Sequence, residues 1–203
     1  PNRSMPPAVG LDEPRRRIVP MEGKTQADIV LGWPAMARSD PDFLKAYLAN
    51  TILGVFGMMG RLGDSVRDEQ GLAYYVYSRL EAGLGIGPWL AIAGVNPANV
   101  ERAIDAILYE VRRLRDEPVP EEDLADNQAY LTGAIPLHLE TNEGISATLL
   151  EIERHGLGLD YLQRYEGLVQ AITARDVQQV ARAYLDPGTY VLAVAGPASE
   201  EIG

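Results

Sequence analysis

The chain has 203 residues, 46% of them hydrophobic, and a formal net charge of −11. It is long enough to bury a sizeable core unaided, and without cysteine it has neither disulfides nor thiolate metal sites. The negative charge repels phosphate backbones, so nucleic-acid binding is not expected; no stretch approaches the roughly 20 apolar residues of a membrane span.

Residues 1–14 (PNRSMPPAVGLDEP) are turn-rich and read as a linker or disordered tail, and residues 15–203 as a single domain. The opening has neither a starting methionine nor an apolar signal core. It reads as a linker within a longer polypeptide, so any targeting signal would lie upstream; a soluble chain of either cytoplasm or periplasm is expected.

Ile29, Val30 and Leu31 predict a buried strand, with another near Ile18 and Val19. Ser39 or Asp40 as cap, Pro41 in the first turn and apolar residues from Phe43 to Leu53 at helical spacing predict a helix over 41–57. Asp64 to Gln70 forms a short helix ended by Gly71. LAYYVYSRLEA is β-branched and aromatic, hence a strand over 72–81; GLGIG turns the chain, and PWLAIAGV returns as a hairpin partner. The stripe from Val100 to Leu114 makes a strong helix. A further helix follows Pro120, and Pro136 should kink or end it. Next come a helix stopped by Gly156, a short helix in DYLQRYEGLVQAI, and one capped by Thr173 with Asp176. TYVLAVAGP is a final strand. The class is α+β: a two-layer sandwich with a β-α-β-β-α-α core, additional C-terminal helices and a late strand.

The glycines at 54, 57, 60 and 63 invite a phosphate-cradle reading, but they follow a helix and no Lys-Ser/Thr pair comes after them. Close packing or a flexible approach loop explains them better. Neither His138 nor His155 sits in H-x-x-E-H, and Glu151 with His155 reads as an exposed charge pair, so no metal is expected in this chain. No G-x-S-x-G elbow occurs. Arg67 and Tyr74 remain, seven positions apart across the Gly71 turn. Their N–H and O–H donors would stabilise a developing oxyanion if they converged; the plain alternative is a surface Arg and a half-buried Tyr.

GRLGDSVRDEQGLAYYVYS resembles the signature of the C-terminal, non-zinc domain of the pitrilysin/mitochondrial processing peptidase family, the inverzincins that include insulin-degrading enzyme. Arg61, Leu62, Val66, Arg67, Asp68, Gly71, Leu72, Ala73 and Tyr74 match its pattern; Gly60 replaces a serine and Gly63 an aromatic residue. The similarity extends over about residues 14–197. It implies a clamshell whose other half, a homologous domain or subunit, carries H-x-x-E-H, a distal glutamate and zinc. This half would bind a peptide or unfolded-protein substrate and place Arg67 and Tyr74, as the catalytic pair, against the substrate backbone. The same resemblance leaves a catalytically silent scaffold as the alternative. The glycines alone motivate a small-anion module.

Overall fold

The computed structural model describes residues 10–55 and 60–197. Side chains on a strand alternate between faces, and β2 (Ala27–Pro34) shows the consequence: Ala27, Ile29, Leu31 and Trp33 are buried while the residues between them are half-buried. With β1 (Arg15–Pro20), β3 (Ala73–Leu80), β4 (Pro88–Val95) and β5 (Val191–Gly196) it forms a sheet ordered β1-β5-β2-β4-β3. β1 and β5 are parallel and the other pairs antiparallel, so among the described residues β3 is an outer strand.

Helices α1 (Phe43–Gly54), α2 (Val100–Asp116), α3 (Glu121–His138), α4 (Asn142–His155), α5 (Tyr161–Gln170) and α6 (Ala174–Tyr184) complete the α+β architecture. α1 packs on β3, α2 on β4 and β2, and α6 on both helices. Trp33, Trp89, Leu48, Leu53 and Ile107 are almost wholly buried between the layers. Their burial drives the sandwich together at about 1.5–3 kcal/mol for each large apolar side chain. The indole N–H of Trp89 donates to Asn50 Oδ1 (2.9 Å), so its polar atom enters the core satisfied. Thr173 and Asp176 form the expected reciprocal cap of α6.

Three boundaries differ from expectation. α1 begins at Phe43, not 41, because Asp40 Oδ1 accepts the Asp42 N–H (2.9 Å) and holds the entry as a turn. It ends at Gly54, where a β-carbon on the returning Gly60 would lie 2.4 Å from Gly54 Cα. That contact supports the packing reading for this glycine pair; Gly57 lies outside the described residues. Pro136 falls inside α3, which runs on to His138, and Leu139 N–H closes it on the carbonyls of Ile135 and Pro136.

Candidate functional site

The segment expected as a short helix is a π-helix, Gly63–Glu69, with the Gln70 N–H reaching the Ser65 carbonyl (3.2 Å). Such turns are rare and recur at functional sites. Gly71, at φ +61°, ends it in the left-handed conformation. Gly71 N–H donates to the Arg67 carbonyl and Leu72 N–H to that of Val66, both at 3.0 Å. Arg67 is therefore tied by its own backbone to the joint that starts β3, and Tyr74 is the second residue of that strand.

Tyr74 occupies an irregular place. Ala73 pairs with Val95 and Tyr75 with the adjacent Gly94, so Tyr74 is the extra residue of a β-bulge. Unbroken alternation would turn it to the face of the buried Val76 and Ser78. The bulge puts the small Ala73 inside instead and leaves Tyr74 63% exposed at one end of the outer strand. Tyr74 is thus largely in solvent, not half-buried as the plain alternative has it.

The next residue is anchored across three strands. Asp28 on β2, Gly94 on β4 and Tyr75 on β3 stand in register. Gly94 has no side chain, so the Tyr75 ring crosses it: a β-carbon there would lie 2.3 Å from Tyr75 Cε1. The phenol then donates to Asp28 Oδ1 (2.9 Å), which also accepts from Gln26 Nε2 (2.8 Å), while Lys24 Nζ donates to Asp28 Oδ2. Burial raises the Asp28 carboxyl, but these hydrogen bonds outweigh it and hold the group below the usual carboxylate range. Burial and the bond to Asp28 push the Tyr75 phenol up to about 12. Sequence reasoning missed Asp28, Tyr75 and Gly94 as a unit; its one available signal was a glycine inside a strand pattern.

Arg67 is 22% exposed and forks onto Asp68, with Nε to Oδ1 at 2.7 Å and Nη2 to Oδ2 at 3.1 Å. The fork holds the Asp68 carboxyl below its ordinary range. Of the other matching residues, Leu62, Val66 and Leu72 are core. Arg61 lines an acidic recess with Asp64, Glu69, Glu117 and Asp123, where burial, with Arg113 close by, depresses its guanidinium.

His138 lines a separate cleft of about 450 Å³ between α1, α3, α4 and α5, and His155 pairs with Glu151, which also lines it. His155 is not part of an exposed pair: its side chain is only 4% exposed, with Nε2 3.4 Å from Glu151. Helix α4 turns it inward, and Glu151 also receives Arg38 Nε (3.0 Å), whose guanidinium lies on Phe43. Among the described residues no three His, Cys, Asp or Glu side chains gather as a metal-holding group.

Comparison with known proteins agrees with this architecture. The family described as the peptidase M16 inactive domain matches residues 1–131. An uncharacterized zinc protease of Streptomyces coelicolor is 27% identical over 87% of the chain, which spans 38% of that relative's length. The crystal structure of a peptidase M16 inactive domain from Pseudomonas fluorescens shares the fold with a TM-score of 0.81 at 24% identity, covering 92% of this chain and 43% of that one. A protease from Helicobacter pylori does so with a TM-score of 0.84 at 18% identity, covering 97% and 48%. A five-stranded sheet with its helices and the GRLGDSVRDEQGLAY joint are thus the features of a member of the peptidase M16 inactive-domain family, to which this chain belongs.

Proposed function

We propose that the chain is the non-zinc half of a zinc metallopeptidase, binding a peptide and presenting Tyr74 and Arg67 to its scissile carbonyl. The observation that carries this reading is the bulge: it takes a tyrosine out of the core and exposes its phenol at the end of an outer strand, next to the joint that holds Arg67. Among the described residues no group of side chains gathers that would hold zinc. A zinc-bearing homologous domain or subunit would supply the metal, a water of lowered pKa and a glutamate base. On this side, the Tyr74 O–H donates to the carbonyl oxygen as tetrahedral charge develops, and the Arg67 guanidinium adds a fixed positive charge. Donors fixed in place beforehand favour the charged transition state over the neutral carbonyl.

The second reading, a silent scaffold, is favoured by one observation: Arg67 is already forked onto Asp68. Peptide cleavage separates the two. In the zinc-loaded peptidase, at equal zinc content and fold stability, Tyr74→Phe and Arg67→Ala should each lower turnover by about 10²–10³. Wild-type turnover in both would leave the scaffold.

A further inference from the structure

The Asp28–Gly94–Tyr75 row lies immediately beside Tyr74, and the established family assignment gives it no role. We infer that Tyr75, seated on Gly94 and tethered to Asp28, is a positioning residue that locks the β-bulge and so aims Tyr74 outward. The inference rests on the proposed role of Tyr74 and deepens it.

A bulge has one residue more than its partner strand, so the surplus can be taken up at neighbouring positions. Slippage by one residue would send Tyr74 to the face of Val76 and Ser78 and Ala73 to the other. Something must choose the residue that is left over. Tyr75 does so because its side chain is held at both ends, the ring over Gly94 and the phenol on Asp28. The ring lies directly over the Gly94 Cα, where an added β-carbon would meet Cε1 at 2.3 Å and Cζ at 2.6 Å. Beyond it, the phenol meets a carboxylate that Gln26 and Lys24 hold in place. A hydrogen bond to a charged acceptor is stronger than a neutral one, and this one spans two strand spacings. With Tyr75 pinned against Gly94 and Ala73 buried opposite Val95, Tyr74 is the residue left unpaired.

A double-mutant cycle tests this in the full zinc-loaded peptidase, with kcat and KM measured for Tyr75→Phe, Tyr74→Phe and the double variant. Tyr75→Phe keeps the ring and removes only the tether. It should lower kcat by about tenfold with little change in KM, the size of one hydrogen bond to a charged group. It should cost nothing further in the Tyr74→Phe background. Asp28→Asn, which keeps an acceptor for the phenol, should recover most of the turnover that Asp28→Ala loses. A slow Tyr74→Phe enzyme combined with a wild-type Tyr75→Phe enzyme, or with losses that simply multiply, overturns the positioning role and leaves the role of Tyr74 standing. A wild-type Tyr74→Phe enzyme overturns the role of Tyr74 instead. In that event the positioning is still read by fluorine NMR of a fluorotyrosine at position 74, whose resonance should shift or broaden in Tyr75→Phe; an unmoved resonance overturns the inference.

Discussion

Replacing Gly94 by alanine should destabilise the protein, against the usual sign for a strand glycine. Alanine loses less backbone entropy on folding, so an unobstructed strand glycine gains roughly 0.5–1 kcal/mol from the change. Here the new methyl would lie 2.3 Å from Tyr75 Cε1 and 2.5 Å from Gln26 Nε2. The ring must leave the row, and the phenol then loses Asp28. Overpacking costs about 1–3 kcal/mol and the lost hydrogen bond to a charged acceptor about 1.5–3, which less the entropy gain leaves a net destabilisation of about 2–5 kcal/mol. For a chain of this size that lowers Tm by roughly 4–20 °C in a thermal melt followed by circular dichroism. The control is Gly94→Ala in a Tyr75→Ala background, where only the flexible end of Gln26 must shift and most of the loss disappears. An unchanged Tm for the single variant, or an equal loss in both backgrounds, would refute the reasoning.

Asp28 gives a pH signature. Its folded-state pKa is lowered, so its contribution is fully present above the unfolded value of about 3.9 and fades as pH falls through the folded one. Urea unfolding should show wild type ahead of Asp28→Asn at neutral pH, with the gap closing below about pH 4. The Tyr75 phenol is the opposite case: raised to about 12, its contribution is full below the unfolded value of about 10 and is lost as pH rises through the folded value, so the gap to Tyr75→Phe should close as pH approaches about 12. Asn50→Leu should cost about 1–3 kcal/mol in the same assay, because the buried Trp89 indole loses its acceptor. Thr173→Ala should cost about 0.5–2 kcal/mol by removing the α6 cap.

The fold was largely legible because its elements advertise themselves locally. Strand β2 alternates, α2 carries an unbroken apolar stripe, and Gly71, Gly156 and Thr173 mark ends that sequence alone identifies. The π-helix was not legible, since a segment of seven residues is too short to show a period of its own. A motif singles out Arg67 and Tyr74 as candidates, but not their setting. A bulge depends on which residue of β4 faces which residue of β3, and register is a property of two strands. Asp28 and Tyr75, far apart in sequence, meet for the same reason: the row exists only once three strands are aligned. The inward turn of His155 likewise depends on how α4 lies against the body, which its spacing from Glu151 does not encode.

The central claim is that Tyr74 recognises the tetrahedral state of the reaction in preference to the peptide. A phosphinic peptide, in which a tetrahedral phosphorus replaces the scissile carbonyl carbon, measures this directly against the zinc-loaded peptidase. Tyr74→Phe should weaken the phosphinic peptide by about 10²-fold while leaving affinity for the uncleaved parent peptide within about twofold. Equal weakening of both, or of neither, would contradict the account.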